Sequence, residues 1–257
     1  QALPFGLTRA QQRVGREIAR DLATPVPMLR LVQGDVGSGK TLVAVLACLQ
    51  AVESGYQAAL MAPTEILAEQ HFLNLDQWLT PLGIRVGFLS GKVKGKKRQE
   101  ELLALQNGET QVIVGTHALF QDDVQFGRLG LVVVDEQHRF GVHQRLTLRE
   151  KGYSAGTWPH QLIMTATPIP RTLTMSAYAD LDCSIIDELP PGRTPVNTVL
   201  ISAQRRGDVV ARISAACSEG RQAYWVCTLI EESETLQCQA AEATFADLQQ
   251  ALPGLQI

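Results

Sequence analysis

The chain has 257 residues, of which 45% are hydrophobic and 19% charged, with a net charge of −3. This is enough for one large domain, or for one domain and part of another, and the weak negative charge excludes a simple polycation that binds nucleic acid through its overall charge. The five cysteines form no C-x-x-C pair and predict reduced thiols. No secretory signal and no apolar run of membrane-spanning length is found, so we expect a cytoplasmic protein without a membrane partner.

Apolar strand-like segments alternate with helical segments along the first part of the chain. Strands are predicted at residues 28–33, 57–61, 85–89, 111–114, 129–134, 160–164 and 183–186. Helices are predicted at residues 41–54, 64–79 and 96–106, and each of them ends near a glycine or proline. Because runs such as LVVVD lack polar alternation, the strands should be covered on both faces of a mostly parallel sheet. The sequence therefore predicts a doubly wound α/β domain with ligands at the carboxyl ends of its strands.

A second region follows a break in the pattern of strands and helices. Residues 188–196, ELPPGRTPV, contain three prolines and a glycine and predict a linker. We divide the chain into a first domain at residues 1–189, a linker at 190–195 and the N-terminal part of a second α/β domain at 196–257. In the second region, strands are expected at residues 196–201 and 222–229, and helices at 206–219 and 233–251.

Residues 34–41, GDVGSGKT, fit the phosphate-loop pattern G-x-x-x-x-G-K-[ST] without a mismatch. Backbone N–H groups of such a loop, with the helix N-terminus behind it, can surround phosphates. Lys40 is expected to reach the β- and γ-phosphates of a nucleotide, and Thr41 to bind Mg²⁺ through its hydroxyl. A chance glycine-rich turn is the alternative, which the flanking strand and helix disfavour. The nucleotide-binding candidates in this loop are Gly34, Asp35, Val36, Gly37, Ser38, Gly39, Lys40 and Thr41.

Two adjacent carboxylates, Asp135 and Glu136, follow the apolar strand at residues 129–134. Asp135 is predicted to hold Mg²⁺ and Glu136 to orient or deprotonate an attacking water. Such a pair at the end of a buried strand is costly unless a cation or hydrogen bonds offset its charge. Ordinary surface acids at a solvated strand end are the alternative. The catalytic candidates are therefore Lys40, Asp135 and Glu136, and the metal-ligand candidates are Thr41 and Asp135.

Several weaker signals lie outside these two motifs. Gln11, in LTRAQQRV, carries a donor and an acceptor that can bind the N6/N7 edge of adenine, although an exposed glutamine on a helix is the ordinary alternative. MTATPIPRT, residues 164–172, either links the nucleotide site to a moving part or forms a plain Thr/Pro turn.

Three segments are candidates for contact with a phosphate backbone. APTEILAEQ and VGTHALF each place a threonine between a strand and a helix, where free N–H groups bind phosphate or the threonine simply caps the helix. The basic run GKVKGKKR either contacts phosphates or forms a solvated helix start. The nucleic-acid candidates are Pro63, Thr64, Gly115, Thr116, His117, Lys94, Lys96, Lys97 and Arg98.

Taken in order, LTRAQQ, GDVGSGKT, APTEILAEQ, VGTHALF, DEQH and TATPIPRT resemble the superfamily 2 helicases and translocases. The longer form DEQHRFGVHQR is similar to the RecG family of branch-migration helicases and to the transcription–repair coupling translocases. QAYWVCTLIEESE, residues 222–234, favours the RecG family. This resemblance covers nearly the whole chain. It implies a motor with two RecA-like domains, ATP in the cleft between them and DNA across their tops.

The resemblance implies an ATP-dependent DNA helicase that remodels stalled forks and Holliday junctions, with ATP and Mg²⁺ as cofactors and branched or duplex DNA as partner. It places Thr8 and Gln11 in the adenine-binding segment. It further implies that ATP hydrolysis is coupled to movement by His138, Thr165, Ala166 and Thr167.

The resemblance is incomplete, because the wedge domain and the rest of the second motor domain, with its catalytic arginines, are missing from this sequence. We therefore expect weak ATP·Mg²⁺ binding, very slow hydrolysis and no unwinding by this chain alone. The alternatives are a transcription–repair coupling translocase, a nucleotide-gated binding module, and an RNA helicase. The RNA helicase is disfavoured because DEQH and TATPIPRT differ from the usual DEAD and SAT forms.

Overall fold

The computed structural model describes residues 6–136, 153, 158–167, 181–188, 194, 196–227 and 241–257. The chain divides into two compact units, Gln1–Arg193 and Thr194–Ile257. The division falls within the segment predicted as a linker, and the assignment of the second unit to a RecA-like domain stays a prediction. No helix in the described ranges is long and apolar enough to cross a membrane.

The described residues of the first unit form a seven-stranded sheet with the order β3-β4-β2-β5-β6-β1-β7, and every neighbouring pair is parallel. The strands are β1 Leu29–Gly34, β2 Gln57–Met61, β3 Val86–Leu89, β4 Val112–Gly115, β5 Leu129–Asp135, β6 His160–Thr165 and β7 Asp182–Ile186. All the strands predicted for the first domain are confirmed, with ends that differ by at most about one residue. The doubly wound, parallel fold class is confirmed with them.

Four α-helices of the first unit lie in its described residues, and three of them were predicted with bounds. They are α1 Arg9–Leu22, α2 Lys40–Glu53, α3 Glu65–Leu79 and α4 Gly95–Gln106. Short 3₁₀ helices occupy Thr80–Leu82 and His117–Phe120. Thr8 caps α1 through a capping box with Gln11, and Thr64 caps α3 by accepting a hydrogen bond from the Leu67 N–H.

The core lies on both faces of the sheet, as the uninterrupted apolar strands predict. Along β5, Leu131 and Val133 belong to a buried cluster with residues of α1, α2 and α3. The alternate residues Val132 and Val134 belong to a second buried cluster, which includes Leu105 of α4. Because successive side chains of a strand point to opposite faces, the two clusters lie on opposite sides of the sheet. Helices α1, α2 and α3 therefore pack on one face of the sheet and α4 packs on the other, so the strands are held in place from both faces.

The second unit contains α5 Arg206–Ser218 and α6 Ala241–Ala251, within the helices predicted at 206–219 and 233–251. The parts of the predictions at residues 228–229 and 233–240 lie outside the described residues. The strands predicted at 196–201 and 222–229 were wrong for the described residues, since 196–201 and 222–227 form no strand. A strand needs a hydrogen-bonded neighbour for its backbone, and the described part of this unit supplies none. Leu200 and Tyr224 are 100% and 91% exposed, so the apolar pattern of these segments is not matched by burial.

Candidate active site

Glycines at both ends of the loop between β1 and α2 lie too close to neighbouring atoms to carry a side chain without a local shift. Gly39 has a φ of 88°, and a Cβ at this position would overlap the amide nitrogen of Gln11. A Cβ on Gly34 would lie 2.6 Å from Ser38 Oγ. The Ser38 hydroxyl is buried and has no hydrogen-bond partner in the described ranges. A concave loop with close backbone and an uncommitted hydroxyl fits a phosphate ligand.

Lys40, the first residue of α2, folds back over this loop. Its Nζ donates hydrogen bonds to the carbonyl oxygens of Gly34, at 2.6 Å, and Asp35, at 2.9 Å. Burial lowers the pKa of Lys40, although the carboxylates of Asp135 and Glu136 act in the opposite direction. The structure thus brings the catalytic candidates predicted from separate motifs to one place.

Asp135 ends β5 and is 8% exposed. Its Oδ2 lies 2.8 Å from Nε2 of His71 in α3. No motif pointed to His71, and the available signal, a histidine two helical turns after Thr64, does not reveal a partner in a distant strand.

The chemistry of Asp135, at the end of β5, and of Thr41, in the first turn of α2, fits a magnesium ion that is held partly by a nucleotide. Asp135 and Thr41 offer a carboxylate and a hydroxyl, which are the hard oxygen ligands that Mg²⁺ prefers. The described residues contain no group of three or more His, Cys, Asp or Glu side chains that could hold a metal by itself. Mg²⁺ usually keeps several waters and binds phosphate oxygens alongside one or two carboxylates.

Glu136 is held in a strained backbone conformation by the end of β6. Its φ of 49° is the only positive value at a non-glycine residue in the described part of the chain. Its backbone N–H donates to the Met164 carbonyl at 2.8 Å. Its carboxylate accepts hydrogen bonds from the Ala166 N–H and the Thr165 Oγ1, both at 2.9 Å. The alternative of a solvated surface acid therefore does not describe Glu136.

The predicted coupling residues after β6 form one hydrogen-bonded turn with Glu136. The hydroxyls of Thr165 and Thr167 lie 2.9 Å apart, and the Thr167 N–H donates to Thr165 Oγ1 at 3.2 Å. Ala166 contributes its N–H to Glu136. His138 lies outside the described residues. Contact with the catalytic candidate is what a coupling role needs, and that role stays a prediction.

Gln11 contacts the phosphate loop rather than solvent. It is 5% exposed, so the alternative of an exposed helical glutamine was wrong. Its Nε2 donates to the Ser38 carbonyl at 2.9 Å, and its Oε1 accepts from the Thr8 N–H at 2.9 Å. The adenine-binding prediction for Thr8 and Gln11 stays a prediction, and the structure adds that this segment is tied to the loop.

The strand-end candidates for nucleic-acid contact lie after β2 and β4, which are neighbours in the sheet. Thr64 is exposed and Pro63 is half-buried. Gly115 and Thr116 are buried, and the exposed residue of this second loop is His117. The Thr116 hydroxyl has no hydrogen-bond partner in the described ranges. The side chains of Thr64 and His117 are therefore the accessible ones.

The basic run after β3 divides into exposed and engaged cations. Lys94 and Lys97 are exposed, and exposed Lys96 pairs with Glu100 at 3.6 Å. Arg98 differs, because its guanidinium binds both Asp123 oxygens, its Nη2 lying 2.9 Å from Oδ1 and 2.8 Å from Oδ2. Its side chain is only 16% exposed. The lysine side chains can therefore contact a phosphate backbone, whereas the arginine is already paired with Asp123 within the chain.

A match to the DEAD/DEAH box helicase family covers residues 8–176. The chain therefore belongs to this family. It is similar along its length to the ATP-dependent DNA helicase RecG of Pasteurella multocida, with 67% identity over 256 residues, and of Escherichia coli K12, with 66% identity over 257 residues. These alignments cover 99% and 100% of this chain and 37% of each relative. The chain thus spans somewhat more than a third of their length.

Solved structures agree with this relationship. The structure of RecG bound to a three-way DNA junction matches with a TM-score of 0.80 and 38% identity, covering 97% of this chain and 32% of that chain. The DEAD-box helicase Mss116 bound to ssRNA and UDP-BeF matches with a TM-score of 0.61 and 18% identity, covering 84% and 48% of the two chains. The second match concerns the fold alone. The resemblance to RecG predicted from the sequence is confirmed.

Proposed function

We propose that this chain is the ATP-binding motor part of a DNA helicase that remodels branched DNA such as stalled forks and Holliday junctions. The observation that carries this proposal is the arrangement of the sheet's carboxyl edge. The phosphate-loop, carboxylate and coupling candidates lie at or after the ends of β1, β5 and β6, and the nucleic-acid candidates lie at or after the ends of the adjoining strands β2, β4 and β3. The similar proteins are named as ATP-dependent DNA helicases, and one is bound to a DNA junction. Both facts support the proposal.

In the proposed reaction, the loop N–H groups and the Lys40 ammonium bind the phosphates of ATP. Thr41 and Asp135 would hold a Mg²⁺ ion, which would supply positive charge beside the phosphates. Glu136 orients the attacking water and accepts its proton. The Glu136 carboxylate accepts hydrogen bonds from Thr165 and Ala166. A movement of this carboxylate would therefore also move the segment at the end of β6. The wedge domain and the rest of the second motor domain, which the resemblance implies, are proposed to supply DNA recognition and the arginines that complete the ATP site.

The test is the ATPase rate with and without branched DNA. It is measured on this chain and on a chain extended through a complete second motor domain. We expect turnover by the extended chain alone, accelerated by a three-way junction more than by single-stranded RNA. Rapid DNA-stimulated turnover by the present chain would contradict the divided ATP site. If both chains bind ATP equally and hydrolyse none with any DNA, the nucleotide-gated binding module becomes the better account.

A further inference from the structure

His71 is the buried partner of a carboxylate that the proposed function assigns to magnesium. The residue lies in the middle of α3 and is 7% exposed, while Asp135 is 8% exposed. The 2.8 Å bond joins residues that lie 64 positions apart in the chain. It occupies Oδ2 of the carboxylate, and a histidine donor at this place restricts how the carboxylate can rotate.

The hydrogen bond also fixes which ring nitrogen carries the proton. A carboxylate oxygen accepts hydrogen bonds, so Nε2 of His71 is the donor. The other nitrogen, Nδ1, is buried and has no hydrogen-bond partner in the described ranges. An unsatisfied buried polar atom costs about 1–3 kcal/mol. An apolar side chain would avoid that cost, so packing alone does not account for a histidine here.

The helix that carries His71 begins in the nucleic-acid half of the sheet edge. Thr64 caps α3 directly after β2, and Glu65 in its first turn pairs with Lys92, after β3, at 2.6 Å. His71 follows Thr64 by about 10 Å of helix rise. Farther along α3, Leu75 and Leu79 are fully buried in the core. The helix therefore holds the imidazole rigidly against the end of β5.

We propose that His71 is a positioning residue that orients the Asp135 carboxylate for the magnesium ion of bound nucleotide. Donors that hold a metal-binding carboxylate in place commonly contribute a factor of about 10–100 to metal affinity. The inference rests on the proposed function, because it concerns the same Mg²⁺·nucleotide site. It adds a residue from α3 to a site otherwise built from the phosphate loop and the ends of β5 and β6.

The test compares two amide substitutions that differ in reach. The terminal nitrogen of Gln lies close to the position of the histidine Nε2, whereas the nitrogen of Asn lies near Nδ1 and does not reach Asp135. The affinity of the chain for the fluorescent nucleotide mant-ADP is measured with Mg²⁺ and with EDTA, and the ratio of the two affinities reports the metal alone. We expect His71→Asn to lower this ratio by about tenfold or more. We expect His71→Gln to retain most of it, with the EDTA affinity unchanged in both variants.

The control is Leu75→Val, one helical turn farther along α3. It removes a buried methylene without touching Asp135, so it lowers the thermal unfolding midpoint but leaves the magnesium ratio unchanged. If His71→Asn does not fold, His71→Leu, which also removes the buried Nδ1, replaces it. An unchanged ratio in the Asn or Leu variant, or an equal loss with Mg²⁺ and with EDTA, overturns the positioning role. If the unsubstituted chain binds no nucleotide, or binds it without any effect of Mg²⁺, the proposed function itself is overturned.

Discussion

The two halves of the sheet's carboxyl edge hold their polar residues in different ways. In the half formed by β1, β5 and β6, functional candidates are bound to one another through buried or half-buried contacts, such as Gln11 to Ser38 and Glu136 to Ala166. In the half formed by β2, β4 and β3, the accessible candidates are exposed threonine, histidine and lysine side chains. Chemistry on a phosphate needs fixed geometry, whereas contact with a phosphate backbone needs accessible charge.

The two halves also differ in the free energy that each of their polar contacts contributes. An exposed ion pair such as Lys96–Glu100 contributes about 0–1 kcal/mol at most, so a DNA phosphate can replace the glutamate at little cost. Removing a partner from a buried hydrogen bond costs about 1–3 kcal/mol, and more for a charged group. Substitutions in the nucleotide half are therefore expected to change chemistry, and those in the other half to change affinity and its salt dependence.

The largest effect is expected for Glu136→Gln. The amide keeps an acceptor oxygen for the Ala166 N–H but cannot accept a proton, so in the chain extended through a complete second motor domain the single-turnover rate of ATP hydrolysis should fall by about 10²–10⁴-fold. Affinity for mant-ADP should stay close to that of the unsubstituted chain. A parallel loss of affinity and rate would show that the nucleotide half had been disrupted as a whole.

The nucleic-acid half is tested by contrasting lysines with an arginine. Replacing Lys94 and Lys97 together by alanine should reduce the slope of log affinity against log salt by about two, since each phosphate contact contributes about 0.9. The measurement is fluorescence anisotropy of a labelled three-way junction at several KCl concentrations.

The matched variant for this pair is Arg98→Ala. Because its guanidinium is bound by Asp123, this change should leave the salt slope nearly unchanged and affect mainly thermal stability. If Arg98→Ala reduces the slope as much as one lysine substitution does, the ion pair opens for DNA and the contrast between exposed and engaged cations fails.

The sequence predicted what is locally determined and missed what is set by pairing between distant segments. The strands in the described residues of the first unit were located because a run such as LVVVD, buried on both faces, is recognisable without knowing its neighbours. The phosphate loop and the Asp135–Glu136 pair were located because strand, glycine turn and helix follow one another in the chain. The contact of His71 with Asp135 depends on β2 lying beside β5, which no local pattern reveals.

In the second unit, local sequence patterns predicted strands that are not formed in the described residues. Residues 222–227 have the composition of a strand, yet they form none in the described part of the chain, and Val226 is 87% exposed. Helices were correctly predicted over Arg206–Ser218 and Ala241–Ala251 because a helix satisfies its own backbone hydrogen bonds. A strand does not, so its formation depends on residues elsewhere.

A smaller effect, on stability, is expected from a pair of glycine substitutions. Gly39→Ala places a Cβ in the left-handed region and against the Gln11 amide, so it should destabilise the chain by at least about 1–2 kcal/mol. Gly15→Ala, inside α1 with nothing within 4 Å of the added Cβ, should stabilise it by about 0.5–1 kcal/mol. Urea unfolding measures both. Equal effects of the two substitutions would mean that the tight packing of Gln11 on the phosphate loop contributes nothing to stability.

The smallest effect concerns the amino edge of the sheet, away from both halves compared above. His160 begins β6 and its Nδ1 accepts a hydrogen bond from the Met28 N–H at 3.0 Å. Burial lowers the pKa of His160, with Asp21 acting in the opposite direction. The unfolded chain therefore takes up the proton at a higher pH than the folded chain does. The contribution of neutral His160 to the free energy of unfolding is fully present above the pKa that this histidine has in the unfolded chain. It is lost as the pH falls from there towards the lower pKa of the folded chain.

His160→Asn removes the titration of this side chain and leaves all other titrating groups unchanged. The Asn Oδ1 still provides an acceptor for the Met28 N–H and does not titrate. Between about pH 8 and about pH 5, the unsubstituted chain should lose more unfolding free energy than the Asn variant, as measured by urea unfolding at each pH. Identical pH dependence of the two chains would exclude His160 as the responsible group. The magnesium ratio for mant-ADP should be the same in both, since a change at the amino edge leaves Asp135 and His71 in place, and a shift in that ratio would mean that the two edges of the sheet are not independent.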